Sequence, residues 1–298
     1  MPRSAASDRA RDRIHALAVM CVLAAASLLI AVLGASPARV SSRELMGDTR
    51  APGEPAFVAS HRGGAATAPE NTLPAVTAAL AAGFDYVEVD VALTADGHAV
   101  LMHDKTVDRT TDGHGRLASL TLAQVRALDA GAWFDPAYAG TAVPTFEEFL
   151  DTLAGSRGRA IVELKGMWDA AAVSAAVTAV HDRGLDRRIV LASFDGRTLA
   201  LAAAQSRVVS RLLILKQLPA DVVSAVREAG ARGVVVSRKA VLARPGIVDE
   251  LHAAGARLVV YTLNDDAQWD AVTALGVDGI VTDDPHTLSE WQSADGDR

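Results

Sequence analysis

His61-Arg62 and His103-Asp104, with Glu88-Val89-Asp90 between them, are the residues of this chain whose types and spacing could do chemistry. Two imidazoles can trade a proton, and two carboxylates one strand-step apart can hold a divalent cation. An arginine beside the first histidine adds fixed charge for an anion. These are the parts needed to cleave a phosphate ester with the help of a metal. A third carboxylate, Glu163, lies two residues from Lys165, so a metal ligand and a phosphate-contacting ammonium would share one face of a strand. A salt-bridged pair at a strand end would have the same sequence.

The elements that must position these groups follow from apolar patterning. Residues 56–64 form a short apolar run that ends in Ser60-His61-Arg62 and two glycines, a buried strand opening into a loop. In Tyr86-Val87-Glu88-Val89-Asp90-Val91-Ala92 acidic and apolar residues alternate, which puts Glu88 and Asp90 on one face. Like charges on one face are costly unless a cation lies between them, and oxygen ligands suit Mg2+ or Ca2+. A strand with one solvated polar face shows the same alternation. Asp96-Gly97, between two strand-like runs, signals a hairpin whose return strand brings His103 alongside Val89, opposite the acidic pair. A lone histidine at a strand end would otherwise be read as structural. Further strand-like runs at 189–193, 211–215, 233–237, 257–262 and 279–282 are separated by alanine-rich helical stretches such as 220–229 and 245–254. With 99–103 as a hairpin addition, eight parallel strands remain, enough to close a TIM-type (β/α)8 barrel.

Together the motifs resemble the glycerophosphodiester phosphodiesterase family. The matching residues are His61-Arg62-Gly63, Ala68-Pro69-Glu70-Asn71-Thr72, Glu88-Val89-Asp90-Val91 and His103-Asp104 with Arg109-Thr110-Thr111 and Gly113. They continue in Leu128-Asp129-Ala130-Gly131, Trp133-Phe134, Pro144-Thr145, Val162-Glu163-Leu164-Lys165, Ser193-Phe194 and Gly279-Ile280-Val281-Thr282-Asp283. Each fragment is weak, but their order and spacing are specific. The resemblance runs from Phe57 to Pro285. It implies an α/β TIM-type barrel with a small insertion, hydrolysing glycerophosphodiesters to glycerol 3-phosphate and an alcohol. It also implies that Glu88, Asp90 and Glu163 hold one divalent metal, Ca2+ or Mg2+, that His61 and His103 are general acid and base, and that Arg62 and Lys165 contact the phosphate. Glu70, Asn71, Phe194 and Tyr261 are further substrate-binding candidates. Tyr261 stands where the family usually carries tryptophan, a difference that bears on the shape of the glycerol or head-group pocket. Glu70-Asn71-Thr72 also has a plain reading as the cap of a helix with Pro74 in its first turn and Gly83 at its end, against one in which Glu70 or Asn71 orients Arg62 or the substrate. His114 and Asp112 read as loop polarity.

The chain has 298 residues, half of them hydrophobic, which suits one barrel with a leader. Four arginines precede an uncharged stretch at 14–38 whose apolar core spans 16–33, and Ser36-Pro37-Ala38 offers a cleavage site. This predicts a signal anchor or a cleaved signal peptide at 1–38, with the barrel extracytoplasmic, either tethered to the membrane or secreted. A linker is expected at 39–55, the barrel at 56–290 with its insertion at about 105–158, and a tail at 291–298. Cys21, the only cysteine, lies in the apolar stretch, so the barrel has no disulfide. The first 38 residues carry +2, which leaves about −9 on the remainder of a chain whose total is −7. Such a surface disfavours nucleic acid as partner, and a phosphodiester needs a locally positive site. Rival readings are a lysophospholipase D acting on membrane lysolipids, a barrel lyase with Lys165 as Schiff-base lysine, and a non-catalytic tethered binding module.

Overall fold

The computed structural model describes residues 46–295. The apolar stretch, Cys21, the first part of the expected linker and the last residues of the expected tail lie outside them. Nine strands are present among the described residues: β1 (Phe57–Ser60), β2 (Tyr86–Leu93), β3 (Ala99–Leu101), β4 (Ala160–Leu164), β5 (Ile189–Ser193), β6 (Ser210–Leu215), β7 (Gly233–Ser237), β8 (Arg257–Tyr261) and β9 (Gly279–Thr282). All pair in parallel except β3, and β1 pairs with both β2 and β9, which closes an eight-stranded barrel.

Helices cover the outside: α1 (Leu73–Ala82), α2 (Leu122–Arg126), α3 (Phe146–Ala154), α4 (Ala170–Asp182), α5 (Gly196–Gln205), α6 (Val222–Glu228), α7 (Arg238–Ala243), α8 (Ile247–Ala253), α9 (Asp266–Thr273) and α10 (Pro285–Asp295). The start signals lie in the sequence. Thr72 caps α1 through Ala75 N–H and Pro74 occupies its first turn, while Asp169, Asp195, Asp221 and Asp265 cap α4, α5, α6 and α9. Each cap removes an orphan N–H worth about 1 kcal/mol. Among the described residues no helix is long and apolar enough to cross a membrane.

The strands alternate between two cores. Residues such as Val87, Val89, Val91, Val162 and Leu164 face outward and pack under the helices. Phe57, Ala59, Tyr86, Ile161, Val190 and Ala192 face inward and fill the barrel with a separate apolar cluster. Inward positions turn polar toward the C-terminal strand ends, as barrel enzymes arrange them.

Three expected boundaries look different in three dimensions. Residues 46–53, expected as linker, pack against the barrel floor. Met46 is buried in the interior cluster, Arg257 donates to Gly47 O at 2.6 Å, and Gly53 N–H donates to Thr273 O at 2.9 Å. The expected insertion at 105–158 has its own small core of Val100, Met102, Val107, Leu117, Val125, Ala130 and Val143. Phe146, Phe149, Leu150 and Leu153 of α3, however, pack with β2 and β4, so α3 is a barrel helix. Similarly, the tail expected from residue 291 begins inside α10, where the Trp291 ring packs at a tilt against Trp269 and Gln292 donates to Ala56 O at 2.8 Å.

Candidate active site

Register brings the carboxylates together. In the parallel β2–β4 pair Asp90 stands opposite Glu163, and Glu88 lies one pleat below Asp90 on the same inward face. Oxygens of Glu88, Asp90 and Glu163 all lie within 4.8 Å of one another and all three residues are buried. At that separation each pair of charges repels by about 3.5 kcal/mol at an effective dielectric of about 20. Lys165 offsets part of this, its Nζ 2.9 Å from Glu163 and 3.3 Å from Asp90, and Arg62 Nε lies 3.4 Å from Asp90. The compensation is uneven. Burial opposes ionisation of Asp90, but Lys165, His103 and Arg62 outweigh it and hold its pKa below the usual carboxylate range. Burial and the neighbouring Asp90 push Glu88 up to about 8, and burial raises Glu163 as well. Three buried hard-oxygen donors whose charges their protein neighbours do not balance match the donor set of a Mg2+ or Ca2+ ion.

The hairpin supplies the second histidine. Val91 pairs with Leu101 and Ala92 with Val100, and Met102 N–H donates to Asp90 O at 3.0 Å, so His103 leaves the hairpin just past its last paired residue, beside the end of β2 that carries Asp90. Both imidazoles are held by carboxylates. His61 Nδ1–H donates to Asp283 at 2.6 Å, and His103 Nδ1–H donates to Asp104 at 2.7 Å. This leaves Nε2 of each ring as the atom available to a substrate. Burial works against protonation of His61, but the Asp283 bond and Glu88 outweigh it and raise its pKa. For His103 burial prevails and lowers it.

The loop after β1 is built to aim Arg62. Arg62 takes φ of 52° and both following glycines are left-handed. This turns Arg62 N–H onto Glu88 at 2.9 Å while the guanidinium reaches Glu70 at 2.7 Å. Glu70 also grips both terminal nitrogens of Arg109, at 2.7 and 2.8 Å. Asn71 donates to the Asp90 carboxylate and accepts from Asp90 N–H, both at 3.0 Å. Glu70 therefore orients Arg62, one of the roles its sequence position suggested, and Asn71 orients Asp90.

His61, Arg62, Glu88, Asp90, His103, Glu163, Lys165, Phe194 and Tyr261 all line one cavity of about 180 Å3. Asp112 and His114 do not reach it: Asp112 accepts from Asp129 N–H at 2.8 Å and His114 is exposed beside Asp108. Sequence reading missed a role for Asp283 and Asp104. Asp283 had a signal, a carboxylate at the C-terminal end of the strand-like run at 279–282.

The sequence profile of the Glycerophosphoryl diester phosphodiesterase family matches residues 61–287. This chain belongs to that family. A glycerophosphodiester phosphodiesterase of Caldanaerobacter subterraneus subsp. tengcongensis is 30% identical over 244 residues, covering 78% of this chain and 96% of that protein. Among solved structures, glycerophosphodiester phosphodiesterase from Agrobacterium tumefaciens is 30% identical with a TM-score of 0.68, covering 79% of this chain and 99% of the other. An Oleispira antarctica phosphodiesterase in complex with the product sn-glycerol-3-phosphate is 26% identical with a TM-score of 0.72, covering 80% and 96%. The chain is thus a phosphodiesterase on a TIM-type barrel. In this phosphodiesterase the family match begins at His61, the first of the residues that line the cavity.

Proposed function

We propose that this phosphodiesterase hydrolyses glycerophosphodiesters to glycerol 3-phosphate and an alcohol, with His61 and His103 as the acid–base pair and one divalent cation, Ca2+ or Mg2+, on Glu88, Asp90 and Glu163. The observation that carries the reading is the convergence, in one cavity, of three buried carboxylates with two imidazoles whose Nδ1 atoms are each held by an aspartate. When bound, the cation supplies a Lewis acid for a phosphoryl oxygen. One imidazole accepts the proton of the attacking nucleophile, either water or the substrate's own glycerol hydroxyl, the latter giving a cyclic phosphate that a water then opens, and the other gives a proton to the departing alkoxide through Nε2. Arg62 and Lys165 add the local positive charge that draws a phosphodiester into an acidic chain.

A Schiff-base role for Lys165 fits poorly. Burial lowers its pKa, but Asp90 and Glu163 more than reverse this, and a protonated ammonium cannot attack a carbonyl. We propose further that the barrel works outside the cytoplasm behind the arginine-led apolar leader. An alkaline phosphatase fusion at the barrel's C-terminus should be active only if it is exported. For the chemistry, glycerol 3-phosphate release from soluble diesters is measured with and without EDTA for wild type, His61→Ala and His103→Ala. Turnover that survives chelation, or full activity in either variant, would overturn the mechanism.

A further inference from the structure

A second cavity, of about 630 Å3, opens beside the first and shares His103 and Lys165 with it. One wall is a small antiparallel ribbon of the insertion. Val107 N–H donates to Gly115 O at 3.0 Å, Leu117 N–H donates to Lys105 O at 3.1 Å, and Thr106 bridges Arg116. These pairings hold Lys105 and Arg116 on the cavity wall with both side chains exposed. The one carboxylate of that wall, Asp104, is already engaged by His103 and by Arg109 Nε at 2.7 Å. Lys165 faces Asp90 and Glu163. Among the described residues Lys105 and Arg116 form no ion pair, so two uncompensated cations line this cavity in a chain of net charge −7.

The phosphorus of a bound diester must lie near both imidazoles. One ester arm then occupies the inner cavity, and the other must leave past His103, the histidine that both cavities share. Resting on the phosphodiesterase reading above, we propose that the second cavity receives the alcohol arm, and that Lys105 and Arg116 select diesters whose alcohol carries an anionic group such as a phosphate monoester. Exposed charge pairs contribute at most about fivefold each. The expected preference is therefore on the order of tenfold at low ionic strength, and salt screens it.

The test uses the purified full-length chain and three soluble diesters: glycerophosphoglycerol bearing a terminal phosphate, plain glycerophosphoglycerol, and glycerophosphocholine. The ratio of kcat/KM for the phosphorylated diester to that for glycerophosphocholine should be about ten. It should fall toward one in 0.5 M salt and in the Lys105→Gln, Arg116→Gln double variant, and invert in the Lys105→Glu, Arg116→Glu double variant. Thermal melts of the variants establish that they fold. A wild-type ratio within twofold of one, or a preference that survives charge reversal in folded protein, overturns the proposal while leaving the phosphodiesterase reading intact. No turnover of any of the three diesters by folded, metal-supplied wild type sinks the underlying reading and this proposal with it.

Discussion

Asp283→Asn isolates the clasp on His61. Asp283 accepts from His61 Nδ1–H at 2.6 Å on one oxygen and from Asn264 Nδ2 at 2.7 Å on the other. An asparagine has a single side-chain oxygen, so one of the two donors must face an NH2 group. If that donor is His61, the ring must move its proton to Nε2, the atom the chemistry uses. A hydrogen bond to a charged acceptor contributes about 1.5–3 kcal/mol, which corresponds to a loss of about tenfold to a hundredfold in kcat. Asp283 does not line the cavity, so KM should stay within about twofold of wild type. Its side chain is 31% exposed, which limits the stability cost to about 1 kcal/mol. Losing the Asp283 bond also removes a contribution that raises His61, so the ring should titrate at lower pH in NMR. The assay is steady-state glycerol 3-phosphate release with a thermal melt of the same preparation. A folded variant whose kcat lies within twofold of wild type, or whose loss appears entirely in KM, would refute the reasoning.

Other outcomes follow from the same geometry. In metal-free protein Glu88 titrates near 8 when folded but near the ordinary carboxylate value when unfolded, so stability should fall as pH rises between those values, by on the order of several kcal/mol. Glu88→Gln should flatten that fall and abolish the thermal shift that added Mg2+ or Ca2+ gives the wild type, both read by melts across pH. Gly63 sits at φ +84°, and a Cβ there would lie 2.8 Å from Ala75 Cβ and 2.9 Å from its carbonyl carbon, so Gly63→Ala should lower stability by about 2–4 kcal/mol in urea unfolding. Arg109 is the main reason that Asp104 is held at about 2, so Arg109→Ala should move the Asp104 titration up toward the usual carboxylate range in 13C NMR. It should also lower kcat by loosening His103, and an unmoved titration would show that Arg109 does not hold Asp104.

Local pattern carried much of the site. Alternation along 86–92 was enough to put Glu88 and Asp90 on one face, and the Asp96-Gly97 turn was enough to fold Ala99–Leu101 back along β2, because side-chain period and hairpin register are short-range properties. The start of α1 was legible for the same reason, as its cap Thr72 acts on an N–H group three residues away. The grip of Glu70 on Arg109 was less so. It depends on where the ribbon of the insertion lands, and no pattern within either segment encodes that.

The sequence by itself determined the types of group, the strands that carry them and the face each occupies. Only the closed barrel decided which strand ends meet. Ser60 pairs with Thr282 in β1 and β9, so the next residues, His61 and Asp283, become neighbours although 222 positions apart. Asp90 meets Glu163 by the same rule across β2 and β4. Periodicity within a strand is set by its own backbone geometry. Register between strands is set by the packing of the whole barrel, and that distinction separates the two kinds of knowledge.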